Sequence, residues 1–178
     1  MEVSRNEGPK NDFLKKVRNL ANENNIVLIF DECTSGFRET FGGLHLKYEV
    51  EPDLALFAKA LGNGYAISAC IWKKEIMESA QNTFISSTFW TERIGPTAAL
   101  KSLEIMQREK SWETITDRGK SISERWTKLA AKYNLNIETW GLPALSGFTF
   151  KYPDAQKYKT LITQEMLKQG FLAANSIY

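Results

Sequence analysis

The chain has 178 residues, of which 43% are hydrophobic and 12% are aromatic. This composition is typical of a folded globular protein and excludes an intrinsically disordered one. Its 23 basic and 21 acidic residues leave a net charge of +2 without any block of like charge, which argues against a nucleic-acid-binding surface and a polybasic membrane anchor. No apolar run reaches the roughly 20 residues of a transmembrane helix. We therefore expect neither nucleic acid nor a membrane as a partner.

Cysteine and histidine are scarce. Cys33 and Cys70 are too few for a disulfide framework, so we expect both to be reduced. The first residues have no signal-peptide character, and the sequence therefore predicts a cytoplasmic protein. A single histidine, His45, cannot form a convincing zinc site with two cysteines, so no metal is expected and His45 is assigned a structural role.

The first predicted elements are a helix and a strand. Asn11 or Asp12 could cap a helix whose apolar residues share one face. Residues 26–30 follow directly and are all apolar, which predicts a strand buried on both faces of a parallel sheet. A helix followed at once by a strand is typical of a doubly wound α/β sheet. Residues 32–51 lack clear periodicity and are predicted to be a long loop at the ligand-binding edge.

Two charged residues interrupt these apolar segments. Asp31 follows the strand directly and would stand at its carboxyl end, where open α/β sheets bind ligands. Lys59 follows the apolar residues 54–58, and desolvation there would lower the pKa of its amine and favour Schiff-base chemistry. Each residue alone has an ordinary explanation: a turn residue for Asp31, and for Lys59 an amine that reaches water. Together they match pyridoxal phosphate enzymes, which need a lysine for the cofactor and a carboxylate for its pyridinium nitrogen.

The middle of the chain contains shorter elements. The turn at residues 62–64 lets the backbone reverse sharply after Lys59, residues 66–72 form a predicted strand, and residues 73–80 a short helix. Residues 83–90 are rich in hydroxyl groups. Thr91 is predicted to cap the next helix, with Glu92 in its first turn.

Near Lys110 the character of the chain changes. A long helix is predicted at residues 114–133, in which Gly119 costs about 1 kcal/mol relative to alanine. Residues 135–139 and 148–150 alternate as in half-buried antiparallel strands. A further helix is predicted to end at Gly170, and residues 171–178 begin a strand-like run.

Two motifs resemble those of one enzyme family. Residues 28–38 resemble the segment L-I-x-D-E-V-x-T-G-F-R of the class III, pyridoxal phosphate-dependent aminotransferases. Residues 52–65 are similar to that family's segment P-D-I-x-x-x-A-K-G-L-G-N-G-Y. The run Gly36-Phe37-Arg38 and the short separation of the motifs favour the branch of glutamate-1-semialdehyde 2,1-aminomutase.

The resemblance implies roles for individual residues. Lys59 matches the lysine that forms the cofactor aldimine, and Asp31 matches the pyridinium partner, so both are the expected catalytic residues. Thr34 matches a position over the phenolic side of the cofactor. Thr88 matches a threonine that reaches the cofactor phosphate of the neighbouring subunit in a dimer. The resemblance therefore predicts pyridoxal 5'-phosphate as cofactor and a homodimer when the protein is complete.

The sequence also departs from the family pattern. Cys33 and Thr34 replace a valine and a glutamine or methionine, and Ala60 stands where glycine is usual. Glu2 and Glu7 match the family stretch E-P-V-x-x-E-G, although valine replaces its proline. These changes leave the lysine chemistry intact but leave the substrate class open.

The resemblance implies an α/β fold. We expect part of a fold-type I pyridoxal phosphate-dependent transferase, with a mixed, mostly parallel sheet and helices on both faces, followed by part of a small α+β carboxyl-terminal domain. Residues 1–109 would be the second half of the large domain and residues 110–178 the incomplete small domain. The family's phosphate cup and its ring-stacking aromatic residue are not found, which indicates a fragment.

The predicted function is transfer of an amino group between small-molecule amino and keto or aldehyde substrates, as an aminotransferase or an aminomutase. Two alternatives stay open at this point. The chain could be a catalytically incompetent remnant that acts as a binding or dimerisation module. It could also be an unrelated α/β module that binds a phosphorylated small molecule through the loop at residues 86–88.

Overall fold

The computed structural model describes residues 8–172, which form two compact units: one extends to Thr114 and the other starts at Ile115. The helices and strands of the described residues are α1 (Phe13–Glu23), β1 (Ile29–Asp31), β2 (Leu54–Phe57), β3 (Ala69–Trp72), α2 (Lys74–Ser79), α3 (Ile94–Glu109), α4 (Ser111–Lys132), β4 (Ile137–Trp140), β5 (Gly147–Phe150) and α5 (Ala155–Lys168). Short 3₁₀ helices are found at Leu44–Tyr48, Lys59–Leu61, Ala80–Asn82 and Pro143–Leu145.

The first unit contains a three-stranded mixed sheet in the order β1-β2-β3. Strands β1 and β2 are parallel, with Asp31 opposite Leu56, whereas β2 and β3 are antiparallel, with Phe57 opposite Ala69. The predicted combination of a mixed sheet with helices is therefore present, with one parallel and one antiparallel pair in this sheet. The parallel pair brings the carboxyl ends of β1 and β2 to one edge.

Helices α1 and α3 each contribute an apolar side chain to a core cluster with residues of the sheet region. Leu14 of α1 is clustered with Phe30 and Val50. Ala99 of α3 belongs to a second cluster, which also contains Ala55, Phe57 and Leu61. Burial of these apolar side chains supplies the main favourable free energy that holds the helices to the strands.

The predicted burial of the first strand on both faces is wrong for this chain. Strand β1 is shorter than the apolar run and alternates: Phe30 is buried, whereas Ile29 is 53% exposed. A strand alternates in this way when only one of its faces has a packing partner. The described residues supply apolar partners for Phe30 but leave the side of Ile29 largely open.

Asp53 connects three parts of the first unit. Its carboxylate accepts hydrogen bonds from Arg18 of α1 at 2.7 Å, from the backbone N–H of Leu28 at 2.8 Å and from Lys73 at 2.9 Å. Burial would raise the pKa of Asp53, but the hydrogen bonds from Lys73, Leu28 and Arg18 hold this pKa well below its usual value. Asp53 is therefore an anionic link between α1, the residue before β1 and the residue after β3.

The second unit contains the greater part of α4, the strand pair β4–β5 and α5. The predicted antiparallel pairing is confirmed, with Thr139 opposite Phe148. Aromatic rings join the strands to the helices: the centroid of Phe148 lies 5.1 Å from that of Trp126, and the centroid of Phe150 lies 5.1 Å from that of Tyr158.

Gly119 has a stronger role than the sequence indicates. A Cβ atom at this position of α4 would lie 1.7 Å from the carbonyl oxygen of Pro143, a distance that backbone atoms cannot accommodate without a shift. Glycine is therefore required here for close packing and is not merely tolerated in the helix.

The helix ends test the capping predictions. Gly170 follows α5 with φ 82°, and the N–H of Phe171 donates to the carbonyl of Met166 at 2.9 Å, which confirms the predicted end. Asp12 occupies the N-cap position of α1, one of the two positions predicted, but its side chain makes no capping hydrogen bond. The predicted cap at the start of α3 is wrong. At α3 the carboxylate of Glu92, and not Thr91, accepts hydrogen bonds from the N–H groups of Ile94 and Gly95.

Two further predictions concern the ends of the chain and the membrane. Glu2, Glu7 and most of the strand-like run at residues 171–178 lie outside the described residues. Within residues 8–172, each helix falls short of the length or the apolar character that crossing a bilayer requires.

Candidate active site

The candidate site lies at the carboxyl edge of the parallel pair β1–β2. Asp31 is the last residue of β1, and Lys59 follows the end of β2 at Phe57 after one intervening residue. Because parallel strands end at the same edge, the pairing of Asp31 with Leu56 brings the acid and the amine to one side of the sheet. The sequence motifs are thus adjacent in space as well as ordered in the chain.

Asp31 is exposed and anionic. Its Oδ1 atom accepts a hydrogen bond from the backbone N–H of Cys33 at 3.0 Å, and this bond lowers the pKa of the Asp31 carboxyl. The positive charge of Lys59 lowers the same pKa further. Asp31 therefore presents a negative charge that the nearby lysine helps to maintain.

Lys59 has an unusual backbone. It begins the 3₁₀ helix Lys59–Leu61 with φ 47°, a left-handed conformation that is uncommon for lysine. Its carbonyl oxygen accepts hydrogen bonds from the N–H groups of Gly62 at 3.1 Å and Asn63 at 3.0 Å. Strained backbone of this kind is found at functional sites, where the surrounding structure maintains it.

The side chain of Lys59 is held by a hydrogen bond and not by burial. Lys59 is exposed, so the prediction that the apolar run would desolvate its amine is wrong, because the chain turns out of the sheet immediately after Phe57. Nζ of Lys59 donates a hydrogen bond to the hydroxyl of Thr34, which is only 8% exposed. The structure therefore brings together three of the four predicted site residues: Asp31, Thr34 and Lys59.

Thr88, the fourth predicted residue, lies in a different environment. Every residue from 81 to 91 is exposed, and Thr88 is part of a turn within this stretch. Its predicted role at the cofactor phosphate of a neighbouring subunit stays a prediction.

Glu32 is a residue that sequence reasoning missed. It is fully buried, at 0% exposure. One oxygen, Oε1, accepts hydrogen bonds from the backbone N–H of His45 and from its ring Nδ1, both at 3.0 Å, and the other oxygen accepts one from the hydroxyl of Ser35. A carboxylate with this many donors is stable in an interior that would otherwise exclude it.

The bonds to Glu32 determine its charge. Burial would raise the pKa of Glu32, but hydrogen bonds from His45 and Ser35 outweigh burial, so the pKa lies below its usual value. An ionised carboxylate only accepts hydrogen bonds, so Nδ1 of His45 must carry the hydrogen. The sequence did contain one signal for the burial of Glu32, namely the two adjacent acids Asp31 and Glu32 after an apolar strand. Because successive residues of a strand point to opposite faces, one of these two side chains points toward the interior.

Comparison with known proteins agrees with this architecture. The family model described as aminotransferase class-III matches residues 7–176. The chain therefore belongs to the class-III aminotransferase family. This membership confirms the resemblance of the two motifs and excludes the unrelated phosphate-binding module considered from the sequence.

The curated relatives carry several names. The chain is 38% identical over 157 residues to the 3-aminobutyryl-CoA aminotransferase of Cloacimonas acidaminovorans, and 35% identical over 164 residues to the acetylornithine aminotransferase of Methanocaldococcus jannaschii. It is 32% identical over 145 residues to the glutamate-1-semialdehyde 2,1-aminomutase of Francisella philomiragia. These matches cover 88%, 90% and 80% of this chain but only 38%, 39% and 34% of the relatives. The chain thus spans about two fifths or less of the length of these relatives.

Solved structures share the fold. The structure of the FumI protein of Sphingopyxis sp. MTA144, described as its PLP internal aldimine form, matches 99% of this chain and 43% of its own, with a TM-score of 0.88 and 22% identity. The ornithine aminotransferase of Plasmodium yoelii matches 93% of this chain and 44% of its own, with a TM-score of 0.78 and 23% identity. The predicted fold class, part of a fold-type I transferase, is confirmed.

Proposed function

We propose that this chain is part of a pyridoxal phosphate-dependent enzyme that transfers an amino group between small-molecule amino and keto or aldehyde substrates. The single observation that carries the proposal is the arrangement at the β1–β2 edge. There the amine of Lys59, on a left-handed backbone, donates to Thr34 and lies within electrostatic reach of anionic Asp31. The curated relatives differ in their named substrates, so the proposal is limited to these chemical classes.

The residues at this edge suit the cofactor. Pyridoxal phosphate, when bound, supplies an electron-accepting ring. Lys59 would hold it through its primary amine and, once released, would accept and return a proton. Asp31 would accept a hydrogen bond from the protonated ring nitrogen, and its low pKa keeps it anionic for this task.

Thr34 is the position at which this chain differs from its family and touches the lysine. Its buried hydroxyl is the acceptor for Nζ of Lys59. We propose that Thr34 orients the amine before the cofactor arrives and contacts the cofactor afterwards. A hydroxyl can serve both purposes because it accepts and donates hydrogen bonds.

Reductive trapping tests the proposal. The chain is incubated with pyridoxal phosphate, reduced with sodium borohydride and digested, and the modified lysine is identified by mass spectrometry. We expect the label on Lys59 and its loss in Lys59→Arg. The control Lys74→Arg changes a lysine whose side chain is 85% exposed and should leave the labelling of Lys59 unchanged.

Because the chain spans only part of its relatives, the trapping is repeated after addition of the remaining portion of a class-III aminotransferase. Label on Lys59 in either preparation supports the proposal. Label confined to other lysines in both preparations, with the chain folded by circular dichroism, would refute it.

A second candidate function has its own observation. Residues 84–90, here called the exposed aromatic segment, include Phe84, Phe89 and Trp90, all largely exposed. Such a patch is typical of an interface. The chain would then act as a dimerisation module, alone or within a homodimeric enzyme in which Thr88 reaches the cofactor phosphate of the neighbouring subunit.

Sedimentation equilibrium separates the two functions. A dimer that dissociates in Phe89→Ser, combined with no trapping on Lys59, would favour the module without catalysis. A dimer with Lys59 trapped would favour the enzyme, and a monomer at all concentrations would contradict the dimer. We propose a cytoplasmic location, because two cysteines in 178 residues are too few for the disulfide framework typical of an oxidising compartment.

A further inference from the structure

The segment after β1 contains a buried polar group that the proposed chemistry does not use. Glu32 follows Asp31 in the chain and pairs with His45, and neither residue contacts Lys59 in the hydrogen bonds described above. Between Glu32 and Ser35 the chain forms a closed turn: the hydroxyl of Ser35 donates to the Glu32 carboxylate, and the N–H of Gly36 donates to the Glu32 carbonyl at 2.8 Å. Thr34 lies inside this turn.

We propose that Glu32 and His45 are positioning residues for Lys59, an inference that rests on the proposed function of that lysine. The Glu32 carboxylate joins the turn at residues 32–36 to the start of the 3₁₀ helix Leu44–Tyr48. This link fixes Thr34, whose hydroxyl in turn holds Nζ of Lys59. His45 thus acts on the amine through two intermediates, Glu32 and Thr34.

The close approach of His45 has independent support. A Cβ atom on Gly43 would lie 2.2 Å from Nδ1 of His45 and 3.0 Å from Oε1 of Glu32. Only glycine leaves room for the imidazole beside the carboxylate. The His45 side chain is 11% exposed, and its ring centroid lies 5.9 Å from that of Phe30, so the ring is confined on several sides.

The test measures the reactivity of Lys59 without any cofactor. The chain is treated with limiting acetic anhydride, and the acetylation rate of Lys59 is compared by mass spectrometry with that of Lys73 in the same sample. Lys73 pairs with Asp53 in the same unit, so general loosening of the unit would accelerate both lysines. Selective release of Lys59 would instead raise its acetylation rate relative to that of Lys73.

Three single variants and one double variant define the expected result. Thr34→Val removes the acceptor at constant shape, and we expect a roughly fivefold rise in the ratio, the effect of one lost hydrogen bond. His45→Leu should raise the ratio similarly, because it removes the side-chain donor to Glu32 and leaves the backbone N–H of residue 45 and the Ser35 hydroxyl. His45→Asn, which can still donate from a side-chain N–H, should restore the ratio toward that of the unsubstituted chain. The double variant Thr34→Val/His45→Leu should match Thr34→Val alone, since both changes act through one contact.

Several outcomes would overturn the inference. If folded His45→Leu has the same Lys59-to-Lys73 acetylation ratio as the unsubstituted chain, Glu32 and His45 do not position Lys59. If the double variant shows the product of the two single effects, Thr34 and His45 act on Lys59 independently. If His45→Leu does not fold, Ser35→Ala replaces it, and an unchanged ratio there counts against the inference. The proposed function is judged separately by trapping on Lys59, so either can fail while the other stands.

Discussion

Glu32 and Phe84 reverse the usual distribution of residues in the first unit. Glu32 is charged and 0% exposed, whereas Phe84 is apolar and 95% exposed. Glu32 is stable inside because its donors lie within the same chain, at Ser35 and His45. The exposed aromatic segment is not covered by the described residues. The Asp31–Lys59 edge is therefore supported by buried hydrogen bonds within this chain, whereas the exposed aromatic segment has no such cover among the described residues.

The largest expected effect is on the buried side. Glu32→Ala would leave the Ser35 hydroxyl and the His45 N–H and Nδ1 without their acceptor, and we expect a loss of about 3 kcal/mol in the free energy of unfolding. Urea denaturation followed by circular dichroism measures this loss. The matched control is Glu78→Ala, an exposed i,i+4 partner of Lys74, for which we expect a change below about 0.5 kcal/mol. Equal losses of stability in Glu32→Ala and Glu78→Ala would show that the buried carboxylate contributes no more than an exposed one.

Asp53 is a partly buried carboxylate with a pH signature. Its pKa in the folded state lies well below the usual value of 3.8, so its contribution to stability is present above that pH and is lost as the pH falls below it. Asp53→Asn removes the charge, and we expect a loss of about 2 kcal/mol near neutral pH. The variant should also lose less stability than the unsubstituted chain on acidification. Urea midpoints of both proteins, measured from neutral pH to acidic pH, check the loss and its pH dependence. If the midpoints of the two proteins fall in parallel with pH, the prediction is contradicted.

A moderate effect is expected at the boundary of the exposed segment. Glu92 caps α3 through the N–H groups of Ile94 and Gly95. Glu92→Ala should cost about 1 kcal/mol, the usual value of an N-terminal cap. Thr91→Ala is the control, because Thr91 was the cap expected from the sequence. A larger loss in Thr91→Ala than in Glu92→Ala would reverse the assignment.

The smallest effect on stability is expected within the exposed aromatic segment. Phe84→Ser removes an apolar side chain that is already in solvent, so we expect a change within about 0.5 kcal/mol in the free energy of unfolding of the monomer. Measurement at low protein concentration isolates the monomer. If Phe84→Ser lowers the stability sharply only at high protein concentration, the segment is buried between copies of the chain, which supports an interface.

The sequence allowed the edge of the sheet to be predicted but not its interior. The motifs around Asp31 and Lys59 are local and specific. Each residue follows an apolar segment of the chain, so parallel pairing of β1 and β2 is enough to bring both residues to the same edge of the sheet. The burial of Glu32 depends on His45, thirteen positions away in a loop without periodicity. Pairing between such distant side chains leaves no pattern in a single sequence.

Two other misses have the same origin. Thr is a common cap, so Thr91 was a reasonable expectation, but backbone direction decides that the adjacent Glu92 reaches the free N–H groups of α3. The exposure of Lys59 likewise follows from the turn after Phe57, which composition alone cannot show. Local preferences therefore located the elements, and tertiary contacts determined which side chains act.

The contact between Gly119 and Pro143 has a consequence for the cooperativity of the second unit. In an isolated α4, Gly119 lowers the stability of the helix by about 1 kcal/mol relative to alanine. The packing of the Pro143 carbonyl against Gly119 offsets this loss only when β4 and β5 are folded, because Pro143 lies between them. Helix and strand pair should therefore open together. Amide hydrogens near the centre of α4 and in β5 would then exchange with solvent at a common opening free energy.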